Sequence, residues 1–208
     1  MTSALTRYMR KPPIYSAHVM PSLRQMIKQA TGEVHQRLHL HPGFAAVQNG
    51  SISLKSYQRL LARLYGFYVP FEIEAQISPE RSQWLERDLD ATDRVEMALT
   101  LPPLCTGIPQ LKSPERLLGA MYVVEGSAVG GRVLAANLDN LLGHGVREGR
   151  QFFEGRGTAT GFAWHRYLAQ LDHFDHDPDI RDQVVGAALE TFLVFECWLD
   201  GWSTLTHE

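Results

Sequence analysis

The sequence is poor in cysteine, with Cys105 and Cys197 alone in 208 residues and no Cys-x-x-Cys spacing. That excludes a disulfide framework and fits a reducing compartment in which thiols stay free. Each cysteine reads as a small, partly buried apolar residue. Positive charge is not in excess either: 20 Lys and Arg face 23 Asp and Glu, a formal net charge of −3. The chain therefore lacks the basic field of a dedicated nucleic-acid binder. Strand-like alternation is nearly missing, and no apolar run approaches the roughly 20 residues a bilayer span needs. The first 20 residues carry Arg7, Arg10 and Lys11, with Pro12 and Pro13 where a secretory signal would have its apolar region. The expectation is a poorly ordered extension over 1–20, one domain over 21–208, a cytoplasmic location, and neither nucleic-acid nor membrane partners.

What is present is helical periodicity. After Pro21, Leu23, Met26, Ile27, Ala30, Val34 and Leu38 recur at spacings of three and four, predicting a helix from Ser22 to about Leu40 with one apolar face. Ser53 is a plausible N-cap for a second helix through Tyr57, Leu60, Leu61, Leu64, Tyr65 and Tyr68, which Pro70 should kink or divide. Ser78 and Pro79 suggest a new start, with two short helices between Arg81 and Leu101. Ser113, Pro114 and Glu115 open a segment that runs to Leu142. A glycine-rich connection over 143–161 then precedes helices at about 162–174 and 180–205. No repeat or linker divides the chain, so an all-α domain of seven or eight helices is expected.

Two segments carry chemistry. Lys28-Gln29-Ala30-Thr31-Gly32-Glu33-Val34-His35 lies near the end of the first helix, with His39 one turn on and His41 close by. His35 and His39 share a helix face, as paired metal ligands do. A di-iron or zinc site would also need carboxylates on facing helices, and no second Glu-x-x-His supplies them. The other segment is Glu125-Gly126-Ser127-Ala128-Val129-Gly130-Gly131-Arg132, inside a helix. Glycine costs roughly 1 kcal/mol against alanine in a helix interior, so three of them in six residues ask for a reason. Either neighbouring helices pack tightly through them, or their missing Cβ atoms let backbone approach a flat ligand. A phosphate loop is excluded, since no Gly-Lys-Ser/Thr follows and no strand precedes.

Together the two segments resemble the haem oxygenase family. Ala30-Thr31-Gly32-Glu33-Val34-His35 is similar to its proximal Ala-Thr-x-Glu-Val-His motif, and Gly126 to Leu134 to its distal Gly-x-x-x-Gly-Gly helix. Both occur in the family's order. The likeness covers about Leu23 to Leu199 and is nearest the bacterial branch that accompanies bacteriophytochromes. It implies a single-domain helical fold with haem sandwiched between a proximal and a kinked distal helix. Haem would be both cofactor and substrate, cleaved with O₂ and reducing equivalents to biliverdin, CO and ferrous iron. The implied partners are a ferredoxin or flavoprotein reductase and, for the product, a bacteriophytochrome.

Carried over by position, the resemblance makes His35 the axial iron ligand and Lys28 a partner for a haem propionate. Gly126, Gly130 and Gly131 would bring the distal backbone over the ring, and Phe192, Phe195 and Leu199 would line the pocket. Arg132, His165 and Arg166 are candidates for further propionate contacts or a docking rim. Two departures stand out. Ser127 occupies the place of an Asp that organises distal water in many relatives, and His39 the place of a Glu that accepts the proximal ring N–H in some. Ser127 leaves open a second reading, a haem carrier or sensor that does not cleave the ring. A thiamine-degrading type of helical enzyme would need a nucleophilic cysteine, and the surroundings of Cys105 and Cys197 do not suggest one.

Overall fold

A computed structural model of the chain describes residues 21–92, 102–175 and 177–201; the extension expected over 1–20 lies outside them. Regular structure among these residues is helical throughout: α1 (Leu23–Leu40), α2 (Pro42–Gln48), α3 (Leu54–Glu74), α4 (Glu80–Thr92), α5 (Pro114–Ala136), α6 (Asp139–Leu142), α7 (Gln151–Glu154), α8 (Ala159–His173) and α9 (Pro178–Leu199). The all-α expectation is met, with α6 and α7 only single turns.

The starts of the long helices are set by local chemistry. Ser22 and Gln25 form a reciprocal capping box on α1. Ser53 and Ser113 accept from the backbone N–H groups of Ser56 and Arg116, each at 3.2 Å, and Asp177 caps α9 ahead of Pro178. His41 ends α1 and caps α2. Its Nδ1 accepts from the Gly43 N–H at 3.2 Å, so its Nε2 carries the proton and donates to the Leu199 carbonyl at 3.2 Å. The third imidazole of the cluster is thus a structural residue, buried and held below its ordinary pKa by that burial.

The departures from expectation have physical causes. Pro70 does not divide α3, which is continuous through it. Proline lacks the N–H that would reach the Gly66 carbonyl, and that carbonyl instead accepts from Cys105 N at 2.8 Å. A Cβ on Gly66 would stand 2.2 Å from the Pro103 carbonyl, so the loop can seat there only on a glycine. Of the two short helices expected over 81–101, the described residues hold one, α4, and residues 93–101 lie outside them. The segment from Ser113 breaks at Asn137 and Leu138, which separate α5 from α6. The glycine-rich connection contains α7 and gives way to α8 at Ala159, three residues before the expected start. α9 stops at Leu199, short of the expected 205, with Asp200 as its C-cap.

α9 organises the bundle, since α5 and α1 both pack mainly on it. The main core draws on Leu60, Leu61, Leu64, Phe67 and Phe71 of α3, Val123 and Val124 of α5, and Phe195 and Leu199 of α9. A smaller core joins Leu23 and Ile27 of α1 to Leu168 and Leu171 of α8 and Val184 of α9. Met121 and Tyr122 pack against both. By length and mean hydropathy, 1.2 over its best 18 residues, α5 is long and apolar enough to cross a bilayer, contrary to the sequence expectation. In the fold it packs on α9, α7 and α8, and its Glu125 is ion-paired within the protein.

Candidate functional site

The site begins with the two faces of α1. Ile27, Thr31, Val34 and Leu38 are buried, and the Thr31 hydroxyl is satisfied by the Ile27 carbonyl at 2.8 Å. Lys28, His35 and His39 are exposed. The His35 ring meets His39 edge to face, centroids 4.6 Å apart at 82°, and Phe192 of α9 at 5.9 Å and 88°. Partial burial, and then the neighbouring His39, hold the His35 imidazole below its ordinary pKa. At neutral pH its ring nitrogen is therefore free of the second proton and able to ligate. A bidentate pair from Arg37 to Glu196, at 2.6 and 2.8 Å, ties this end of α1 to α9. Of the two phenylalanines singled out from sequence, Phe192 reaches His35, whereas Phe195 lies deeper against Phe67, centroids 4.8 Å apart.

The second wall is α5. α1 and α5 scarcely touch each other among the described residues, each leaning on α9 instead. A Cβ built on Gly130 would meet nothing within 4 Å, and one on Gly126 would meet only the edge of the Trp164 ring, at 3.6 Å. Gly131 differs: its Cβ would stand 3.0 Å from the Phe153 carbonyl of α7, so there the tight-packing explanation holds. Ser127 points elsewhere again. Its hydroxyl donates to the Val124 carbonyl at 2.9 Å and lies 3.2 Å from the Tyr68 hydroxyl, which then donates to it. Burial, the largest influence on Tyr68, raises its pKa, so the phenol stays protonated at neutral pH.

Behind this wall lies a charged network that the sequence reading missed. Glu125, next to Gly126, receives Arg81 of α4 at 2.8 Å and Arg156 at 3.0 Å, and Arg156 also pairs with Glu80. Burial alone would raise the Glu125 pKa; the two guanidiniums outweigh it and hold the carboxyl below its ordinary value. Glu72 in turn accepts from the backbone N–H groups of Arg81 and Ser82, so the turn into α4 is fixed as well. A glutamate inside the most apolar stretch of the chain was the signal that could have revealed the network. Trp164 also went unnoticed. It packs against Tyr122 and stacks on Tyr167, centroids 5.4 and 5.5 Å apart, and closes the Gly126 end of the open face.

Around Gly130 the wall is open and apolar. Val129, Val133 and Phe162 are 41%, 61% and 72% exposed. A depression of about 360 Å³ beside them is lined by Val129, Arg132, Val133, Thr160 and Gly161. Arg132, His165 and Arg166 are exposed. Cys105 is buried, with burial raising its thiol pKa, and Cys197 is exposed. No group of three or more potential metal-ligating side chains occurs among the described residues.

Comparison with known proteins gives the family and the fold. The family model described as Heme oxygenase matches residues 21–200. A heme oxygenase of Takifugu rubripes is 25% identical over 194 residues, spanning 82% of this chain and 70% of that protein. Among solved structures, the heme oxygenase of Leptospira interrogans superposes with a TM-score of 0.71 at 19% identity, covering 86% of this chain and 98% of that one. Heme oxygenase-1 of the cyanobacterium Synechocystis sp. PCC6803, solved in complex with heme, gives 0.64 at 20% identity, covering 86% and 91%. At these identities the structural likeness establishes the fold.

Proposed function

Because the chain belongs to the haem oxygenase family, we propose that it binds haem between α1 and α5, with His35 as axial ligand, and cleaves it with O₂ and reducing equivalents to biliverdin, CO and ferrous iron. The observation that carries this reading is the pairing of a neutral, accessible imidazole on α1 with an α5 face left open at Gly130, both helices resting on α9. The residues fit a flat apolar ligand with a charged edge. Phe192 supplies an aromatic edge beside the proximal imidazole, Val129 and Val133 supply apolar rim, and Lys28 and Arg132 supply exposed cations suited to propionates.

Bound haem supplies both the iron that activates O₂ and the macrocycle that is oxidised. The protein's share is positioning and protons. Gly126 and Gly130 keep side chains off the distal face, and the Trp164 ring limits the space at the Gly126 end. Ser127 cannot act as an acid alone, and with its proton on the Val124 carbonyl and that of Tyr68 on Ser127 the pair can hold an ordered water by accepting a hydrogen bond from it. Glu125, clamped by Arg81 and Arg156, fixes the α5 backbone beside that pair. His35 would hold the iron through a neutral imidazole, without the electron push of a thiolate. Electrons come from a ferredoxin or flavoprotein reductase, in the cytoplasm, and a bacteriophytochrome is a natural acceptor of the product.

Purified protein loaded with one equivalent of haemin and reduced in air should lose its Soret band as a broad red biliverdin absorption grows. Haem that survives this treatment would favour the carrier or sensor reading. In His35→Ala the axial bond should be lost, seen in the ferric spectrum, and turnover should vanish unless imidazole is added. Unchanged turnover without imidazole would refute the assignment.

A further inference from the structure

His39 stands where some members of the family carry a Glu, and its ring touches His35. The two side chains leave α1 four residues apart and fall on one face of the helix. Their centroids are 4.6 Å apart. Two imidazoles sharing one ion, with metal–nitrogen bonds of about 2.0–2.1 Å, bring their ring centres to roughly 4.5–5 Å. The pair thus stands at chelating separation. Both rings are exposed, so an ion can reach them and water can complete its coordination.

The surroundings define the kind of ion. Glu196, the nearby carboxylate of α9, is engaged by Arg37 through both its oxygens. That leaves two nitrogen donors and water, a set that holds late first-row divalent ions in the order Cu²⁺ above Ni²⁺ and Zn²⁺, and has little hold on Mg²⁺ or Ca²⁺.

We propose that, before haem is loaded, His35 and His39 together bind one divalent ion of the copper, nickel and zinc class, and that this ion and haem exclude each other. The exclusion rests on His35 being the axial ligand; the metal site itself does not. Such an ion shields the proximal imidazole of the haem-free protein, and haem must displace it.

The test titrates the haem-free full-length protein with Ni²⁺ and Zn²⁺ by calorimetry, and with Cu²⁺ followed by electron paramagnetic resonance for nitrogen coupling. One ion per chain is expected, with affinity at least tenfold lower in both His39→Ala and His35→Ala. His39→Ala should still bind haemin and keep its circular dichroism, because His39 is exposed and its ring stands edge to face with His35 on the same helix surface. Preloading with Ni²⁺ should weaken haemin binding several-fold in the wild type and not in His39→Ala. Absence of binding, or binding that persists in His39→Ala, overturns the metal site and leaves the haem reading intact. Metal binding that needs both histidines but leaves haemin affinity unchanged overturns the exclusion, and with it the axial role of His35.

Discussion

Gly119 and Gly130 stand about three turns apart on one side of α5, and the protein treats them in opposite ways. A Cβ on Gly119 would stand 2.2 Å from the Val184 carbonyl and 2.9 Å from the Ala187 Cβ, so α5 and α9 meet there backbone to backbone. At Gly130 nothing lies within 4 Å. Gly131, one residue on, is packed again, against α7. One helix thus uses the same residue type for close packing at one position and for clearance at another. An unfilled glycine in a helix interior keeps its propensity cost with no packing gained in return. Gly32, Gly161 and Gly186 are equally open on their own helices, so what singles out Gly130 is its place in the segment similar to the family's distal helix.

Substitutions at these glycines break or sharpen the contrast. The largest effect is expected at Gly119→Ala. The clash is with backbone that cannot swing away, so a loss of about 3 kcal/mol or more in denaturant unfolding is predicted, and a neutral result would mean that α5 and α9 do not approach as described. Next comes the cap that holds the packed side in place. Asp88, fully buried, accepts from the N–H groups of Gln151 and Phe152 at 2.7 and 2.8 Å and so fixes the start of α7. Burial nevertheless pushes its pKa up from 3.8 to about 6. Between those values the folded state retains a proton that the unfolded chain has lost, so stability falls as pH rises through the window and levels off above it. Relative to Asp88→Asn, the wild type should lose on the order of 2–3 kcal/mol from pH 4 to 6. A pH-independent difference between the two proteins would contradict the burial argument.

Smaller changes are expected further along α5. Gly131→Ala should cost about 1 kcal/mol, since its Cβ must displace the Phe153 backbone by only a few tenths of an ångström. Gly130→Ala should go the other way and raise stability by up to about 1 kcal/mol through helix propensity. Its haemin affinity should nevertheless fall at least tenfold, measured by Soret titration. If Gly130→Ala bound haemin as tightly as the wild type, the open face would not be the ligand face, and the contrast would lose its functional meaning.

How much of this was legible beforehand varies with the range of the forces involved. The starts of α1, α3 and α5 were readable because Ser22, Ser53 and Ser113 cap them within three residues of chain. Pro70 misled because its local rule is overridden by Cys105, whose N–H takes up the stranded Gly66 carbonyl from far along the chain. His35, His39 and the glycine segment were visible as motifs and as helix spacing. Trp164 was not, since its role depends on α8 lying beside Gly126.

The sequence by itself determined an all-helical chain, the order and approximate extent of its long helices, and two motifs characteristic of one family. Those are properties of caps, propensities and apolar periodicity, which act over a few residues. The tertiary structure alone decided which glycines of α5 are filled and which stay open. It also decided that Glu125 pairs with Arg81 and Arg156, 44 and 31 residues away, and that Ser127 turns to Tyr68. These outcomes depend on which helix lands opposite which face, and no local spacing carries that information.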